Sequence, residues 1–157
     1  MPAATPEQIR EYEAGADHIK AAIDGLSERR LLFTPVEGEW SIHEVVLHLA
    51  DGEIVWSERV RKALAEPGSA LAAYNEETWA KNLAYQQQDR TLALNLFAAL
   101  RASNAALFRS LSEEEWDRTG LHEERGVITV YTMFQLILDH VRIHLQQIEE
   151  LKRNAVE

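Results

Sequence analysis

The feature of this sequence that most constrains its fold is the spacing of its apolar residues, which recur at alternating steps of three and four. That spacing puts the apolar side chains of an α-helix on one face, because a helix turns once in about 3.6 residues. Four segments show it, near residues 6–26, 42–64, 89–111 and 129–153. Strand signals are nearly absent outside the β-branched run at 126–130. The sequence therefore predicts an all-α protein with four long amphipathic helices.

Capping residues indicate where the first two helices begin. Thr5 and Gln8 can form a capping box around Pro6, a residue that suits the first turn of a helix. Ser41 and Glu44 have the spacing of a second capping box. We therefore expect the first helix to begin at about residue 6 and the second at about residue 42.

The third predicted helix carries a row of leucines as its apolar face. That face consists of Leu92, Leu96, Leu100, Leu107 and Leu111. Residues 65–88 before it show no sustained period, and a short helix is predicted only over 71–83. After it, Ser112 is expected to open one short turn around Trp116. Residues 119–128, which contain two glycines, are predicted to be a connector into the fourth helix.

Four amphipathic helices of similar length pack naturally as a four-helix bundle, and residues 1–157 are expected to form a single domain. The link between the second and third helices has about 24 residues, more than an antiparallel pair of helices needs. An extended link of that length can run back along a whole helix. The second and third helices are therefore predicted to be parallel, in an up-down-down-up order. The alternative is a disordered loop between antiparallel helices.

The charge balance and the residue types that are missing exclude several classes of function. Sixteen basic and 26 acidic residues give a net charge of −10, which opposes binding to nucleic acid and to anionic membranes. The chain contains no cysteine, so disulfides, thiolate metal ligands and a cysteine nucleophile are excluded. With no run of 18 apolar residues and no signal-peptide pattern, we expect a cytoplasmic protein without a membrane-spanning helix.

Three of the six histidines lie on or beside predicted apolar faces. His140 and His144 are four residues apart on the fourth helix, on the face that also carries Ile137 and Ile148. Two imidazoles at this spacing can hold one divalent metal ion. His48 borders the apolar face of the second helix. The sequence thus indicates a metal site inside the bundle, and hydrogen-bonded core histidines are the alternative.

The other histidines are not predicted to bind metal. His43 and His48 resemble the HExxH motif of zinc proteases, but the second histidine comes one residue too late and the two rings lie on opposing faces. His43 is therefore expected on a more hydrated face. His18 is expected to border solvent, and His122 falls in the predicted connector. No Glu-x-x-His pair occurs, which excludes the di-iron carboxylate bundles.

Two segments of the chain resemble the DinB-like superfamily, which includes the YfiT-type metal-dependent hydrolases. Residues 39–53, EWSIHEVVLHLADGE, match its Trp-Ser helix start and its His-Leu-x-Asp segment. Residues 126–130 match its Gly-x-hydrophobic-Thr entry, and residues 139–148 match its His-x-x-x-His pair on the last helix. The order and spacing of these motifs agree across nearly the whole chain.

The resemblance implies an up-down-down-up bundle with a three-histidine metal site near one end. Carried over to this sequence, the ligands are His48, His140 and His144. Three neutral nitrogens leave open positions for water or substrate, and nickel, zinc, manganese and iron are all compatible with such ligands. Asp51, three residues after His48, is a candidate to accept a hydrogen bond from a ligand imidazole. The alternative for Asp51 is a solvated helix residue.

The resemblance implies a small-molecule enzyme, although several reactions stay open. Relatives that transfer or isomerise through a low-molecular-weight thiol favour a metal-dependent S-transferase or isomerase, in which the metal delivers the cofactor thiol as thiolate. The alternative is a hydrolase that uses metal-bound water. A third possibility is a non-catalytic, stress-associated protein that binds a metal or a ligand. Dimers are common in the family, so a homodimer is also open.

Overall fold

The computed structural model describes residues 2–155, and it confirms the predicted all-α four-helix bundle. The bundle is built from the split helix α1–α2 and from three long helices, α4, α6 and α8, with short helices between them. The helices are α1 (Pro6–Glu13), α2 (Gly15–Ile23), α3 (Glu28–Leu31), α4 (Ile42–Ala65), α5 (Glu76–Asn82), α6 (Arg90–Ser110), α7 (Glu113–Trp116) and α8 (Val130–Asn154). The up-down order of the long helices stays a prediction.

Local capping sets the helix starts as the sequence predicted. The boxes of Thr5 with Gln8 and of Ser41 with Glu44 are both formed at the beginnings of α1 and α4. Side chains also cap the starts of α6 and α8, where the capping residues are Asp89 and Thr129. These bonds join residues two or three positions apart, so local sequence is enough to place them.

The first predicted helix is divided in two at Ala14, and a side chain from α6 contacts the chain near the division. Arg101 donates a hydrogen bond from Nη1 to the carbonyl oxygen of Tyr12 at 2.9 Å. A Cβ added at Gly15, the first residue of α2, would meet the same guanidinium at 3.1 Å. A side chain that bonds to a helical carbonyl in this way is a common cause of helix breaks.

The predicted leucine face of α6 is only partly correct, because Leu107 and Leu111 pack half-buried against the core whereas the first two leucines are exposed. Leu92 and Leu96 are 67% and 41% exposed. The buried face instead consists of Ala93, Phe97, Arg101, Asn104, Ala105 and Phe108. The helix is turned this way because two of its polar side chains enter a buried hydrogen-bond network, which a hydropathy pattern does not anticipate.

By length and composition alone, α6 is also apolar enough to cross a membrane, and it is the one helix of residues 2–155 that meets those criteria. In the structure α6 packs against α4, and it buries Arg101 and Asn104 between the helices. A single helix of this kind is weak evidence for a membrane segment, because core helices of bundles pass the same test.

The predicted connector before α8 is a β-hairpin. Strands β1 (Thr119–His122) and β2 (Gly126–Thr129) pair antiparallel, with Thr119 opposite Thr129. The chain after α4 adds to this hairpin, because Leu71 donates a backbone hydrogen bond to Leu121 at 2.9 Å. Gly120 permits the close approach, since a Cβ there would meet the Leu71 side chain at 2.7 Å. The segment escaped prediction because only β2 has a strand-like composition.

The long link between α4 and α6, residues 66–89, is called the crossover below. It contains α5 and a 3₁₀ turn at Tyr85–Gln87, so it is an ordered segment and the alternative of a disordered loop is wrong. The short helix predicted over 71–83 begins only at Glu76. Its predicted first residue, Leu71, instead bonds through its backbone to Leu121 of the hairpin. The crossover packs on α4 and brings its side chains to the histidines of the bundle.

Candidate metal centre

Three histidines from two helices meet inside the bundle. The Nε2 atom of His140 lies 3.0 Å from Nε2 of His48 and 3.0 Å from Nε2 of His144. One ligand atom from each of the three histidines lies within 4.8 Å of the other two. Within residues 2–155 no other group of three potential ligands is this close. The structure thus brings together all three residues that the resemblance named as ligands.

The arrangement of the three nitrogens fits a metal ion better than it fits hydrogen bonding. A neutral imidazole nitrogen carries either one proton or one lone pair, so Nε2 of His140 cannot make two full hydrogen bonds to its neighbours. One cation can accept a lone pair from all three nitrogens. Two nitrogens that bind one metal ion at an angle of about 90°, each at about 2.1 Å, lie about 3.0 Å from each other. The two observed nitrogen–nitrogen distances have this value.

A hydrogen bond on the far side of one ring favours the tautomer that a metal requires. Nδ1 of His144 lies 2.7 Å from Oε1 of Gln147, an acceptor, so Nδ1 carries the proton and the Nε2 lone pair points to the centre. Gln147 was missed by the sequence analysis, although its position one turn after His144 is a usable signal. Nδ1 of His48 is buried without a hydrogen-bond partner among the described residues.

Burial keeps the three imidazoles neutral. Desolvation, together with the charges that His140 and His144 would carry, lowers the pKa of His48 from 6.5 to about 2. Desolvation also lowers the pKa of His140 to about 3, with smaller contributions from His144 and Arg101. The pKa of His144 is lowered by burial, partly opposed by the bond to Gln147. Neutral imidazoles are the form that binds metal.

These pKa shifts predict that the metal-free protein loses stability in mild acid. Below pH 6.5 the unfolded chain protonates its histidines, whereas His48 and His140 stay neutral in the folded chain until about pH 3 and below. The free energy of unfolding should therefore fall as pH decreases, by up to ~1.4 kcal/mol per pH unit for each histidine. Urea unfolding between about pH 7 and about pH 5 measures it. If the free energy of unfolding depends on pH in the same way in His48→Asn as in the unmodified chain, the prediction is contradicted.

Aromatic rings and a glycine shape the surroundings of the centre. The indole of Trp40 packs against His48 with ring centroids 4.6 Å apart, and Tyr74 lies parallel to the same imidazole at 6.5 Å. Gly52, one turn after His48, leaves room for the ring of His140, because a Cβ there would lie 3.2 Å from its Cε1 atom. Even an alanine at this position would require the His140 ring to shift by a few tenths of an ångström.

One carboxylate approaches the centre from the crossover. Oε2 of Glu76 lies 3.7 Å from Nε2 of His48, and about half of the Glu76 side chain is exposed. Burial, and to a lesser extent Glu77, raises the pKa of Glu76. No sequence motif pointed to this residue, because it lies on a segment without a period and reaches the histidines only through the fold.

The hydrogen bond predicted for Asp51 differs from the one observed. Its Oδ2 accepts from the hydroxyl of Tyr85 at 2.6 Å, and no described hydrogen bond joins it to the three histidines. Burial raises the pKa of Asp51, and the bond to Tyr85 opposes that shift. Asp51 contacts the 3₁₀ turn of the crossover, a neighbour that the sequence did not reveal.

The remaining histidines lie outside the cluster, but the environment predicted for His43 is wrong. His43 is only 4% exposed, and its two ring nitrogens each lie 2.8 Å from a partner, the carbonyl oxygen of Tyr85 and Nη1 of Arg90. The crossover covers this face of α4, which the sequence suggested to be hydrated. His18 is exposed as expected, and His122 stacks on Trp56 at the end of β1.

A cavity of about 290 Å³, called the side cavity below, opens beside the centre. Its lining comes from α4, the crossover, the hairpin and α8, and it includes His140, Gly52, Glu76 and Arg59. Its volume is close to that of the smaller ligand pockets in proteins.

Comparison with known proteins finds one superfamily across most of the chain. Residues 11–148 match the family model described as the DinB superfamily. YfiT of Bacillus subtilis is 27% identical over 136 residues, covering 86% of this chain and 76% of the relative. A relative from Geobacillus kaustophilus is 29% identical over the same length and with the same coverage. Both are named as candidate metal-dependent hydrolases.

Solved structures share the fold. The structure of YfiT matches with a TM-score of 0.89 and 25% identity, covering 98% of this chain and 90% of that one, and is described as having an unusual four-helix bundle topology. A mycothiol-dependent maleylpyruvate isomerase matches with a TM-score of 0.72 and 15% identity. The match covers 94% of this chain and 63% of the isomerase, and at that identity it concerns the fold alone.

Proposed function

The chain belongs to the DinB superfamily, and from that membership and its histidine cluster we propose that it is a metal-dependent enzyme acting on a small molecule. His48, His140 and His144 would hold one divalent ion, and nickel, zinc, manganese and iron all suit imidazole ligands. The observation that carries the proposal is the convergence of three neutral ring nitrogens, two pairs of which are 3.0 Å apart.

The chain's own residues arrange this centre for activating a nucleophile. When bound, the metal supplies a Lewis acid that lowers the pKa of a coordinated thiol or water. Trp40 and Tyr74 shield His48, and Gln147 holds His144 in the required tautomer. Glu76 adds a carboxylate oxygen beside the histidines. Three protein nitrogens leave coordination positions for ligands from solution, as in catalytic sites.

The nucleophile that we favour is a low-molecular-weight thiol, which makes the enzyme an S-transferase or an isomerase. The chain has no cysteine, so a sulfur nucleophile must come from outside. The proposal is supported by a mycothiol-dependent isomerase, of which 63% of the chain matches this fold. The side cavity beside His140 offers space for a small cofactor.

Hydrolysis is the second candidate, and the names of the relatives favour it. Curated relatives that are 24% to 29% identical over most of this chain are named as candidate metal-dependent hydrolases. In that case the metal would activate water and no thiol would be required.

A paired assay distinguishes the two reactions. Protein loaded with nickel or zinc is mixed with a bimane electrophile and a panel of thiols, and in parallel with carboxylic esters without thiol. We expect acceleration of thiol conjugation by about tenfold or more over the thiol alone, which removal of the metal abolishes. Ester turnover without thiol would instead establish the hydrolase. No turnover in either assay by metal-loaded protein would contradict an enzymatic role.

A further inference from the structure

Arg59 is a buried cation that lines the side cavity. It lies on α4 and is 4% exposed. Its Nη2 atom donates to the carbonyl oxygen of Ala72 at 2.7 Å, and its guanidinium lies 4.6 Å from the ring centroid of Trp56. Within residues 2–155, no carboxylate forms an ion pair with it. Buried charges are normally paired, so this guanidinium is suited to pair with an anionic ligand.

The position of Arg59 connects it to the proposed metal centre. It follows His48 by 11 residues, which corresponds to three helical turns, roughly 16 Å along α4 and about 20° around it. Gly52 lies between them on the helix and has no side chain to fill the space. Arg59, Gly52 and His140 all line the side cavity. A single small molecule in that cavity could therefore reach both Arg59 and the histidine cluster.

We propose that the side cavity binds a small molecule with a carboxylate group, which pairs with Arg59 while the reactive end of the molecule lies at the histidine cluster. The location of the reactive end rests on the proposed function, whereas the pairing with Arg59 does not. A planar guanidinium can donate two parallel hydrogen bonds to the two oxygens of one carboxylate. The carboxylate belongs either to the substrate or to the thiol cofactor.

The electrostatics of the cavity agree with an anionic ligand despite the net charge of −10. Burial lowers the pKa of Arg59, and Glu58 opposes that shift without forming an ion pair. An arginine stays charged under such conditions, so the cavity holds a positive charge that forms no ion pair within residues 2–155. The cavity lining contains three acids, Glu76, Glu123 and Glu124. All three are exposed, so solvent screens their charges.

The binding test uses succinate as the probe and succinamide, its uncharged analogue, as the matched control ligand. Calorimetric titration of the full chain is carried out both free of metal and loaded with zinc. For the metal-free chain we expect succinate to bind about tenfold or more tightly than succinamide. In Arg59→Met, which keeps most of the side-chain volume, the preference should disappear. Lys62→Met, a charge change on the same helix, should leave it intact.

Equal affinities for succinate and succinamide in the unmodified chain would overturn the proposal, and that comparison requires no variant. A preference for succinate that persists in folded Arg59→Met would also overturn it. If Arg59→Met does not fold, Arg59→Lys replaces it, and the expected result is a weakened preference because the fork is lost. Failure of the chain to bind zinc would contradict the proposed function, yet the metal-free titration would still test the Arg59 site.

Kinetics identify which reactant carries the carboxylate. In a working assay, Arg59→Met should raise the KM of either the thiol or its partner by about tenfold and should change kcat much less. The reactant whose KM rises is the one that Arg59 binds. A variant that lowers kcat alone, with both KM values unchanged, would contradict a binding role for Arg59.

Discussion

Replacing His144 by alanine is expected to abolish metal-dependent activity while the bundle stays folded. Substitutions that only disturb a ligand's hydrogen-bond partner cost about 10–100-fold in metal affinity, so loss of one of three ligands should cost at least ~100-fold. The helices are held by two hydrophobic clusters that do not include His144. Metal content by elemental analysis, turnover and thermal unfolding of the metal-free proteins measure the three effects.

The other histidines provide the controls for this experiment. His18 is exposed and His122 stacks on Trp56, so alanine at either position should leave metal content unchanged. Metal loss in either variant would contradict the assigned ligand set. If His144→Ala instead melts far below the unmodified protein when both are measured with metal present, and the metal-loaded unmodified protein shows no turnover, the metal has a structural role, because lost binding energy is then lost folding energy.

Replacing Arg101 by methionine is expected to give the largest loss of stability of any substitution considered. Arg101 and Glu53 are 1% and 2% exposed and form an ion pair with Nε and Oε2 2.9 Å apart. Arg101 also donates to carbonyl oxygens of Tyr12 and Ile137, each at 2.9 Å. Removing one partner of a buried pair leaves the other charge unpaired and typically costs about 3–5 kcal/mol. Urea unfolding of the metal-free protein measures the change.

Two further variants test the reason for that loss. Arg109 lies on the same helix, and its ion pair with Glu13 is about half exposed, so Arg109→Met should change the free energy of unfolding by less than about 1 kcal/mol. Adding Glu53→Met to Arg101→Met removes the unpaired carboxylate and should restore part of the lost stability. If the double variant is less stable than Arg101→Met alone, the unpaired carboxylate of Glu53 is not the cause of the loss.

Helix starts and the histidine pair could be predicted from the sequence because they depend on neighbours within one turn. A cap joins residues two or three positions apart, and a four-residue spacing puts His140 and His144 one above the other whatever the rest of the fold does. The alternating apolar pattern also locates α4 and α8 to within about one residue. The resemblance to a family was needed to add His48 to the pair.

The tertiary structure alone decided the features that depend on partners distant in sequence. The inward face of α6 follows from Glu53 and Tyr12, which give Arg101 a buried partner that no local pattern reveals. Glu76 reaches His48 only because the crossover packs on α4, and Arg59 is buried only because the helices and the crossover pack around it. Local sequence fixes which side chains can meet within one helix. Whether a charged side chain is buried, and what pairs with it, depends on how the helices pack together.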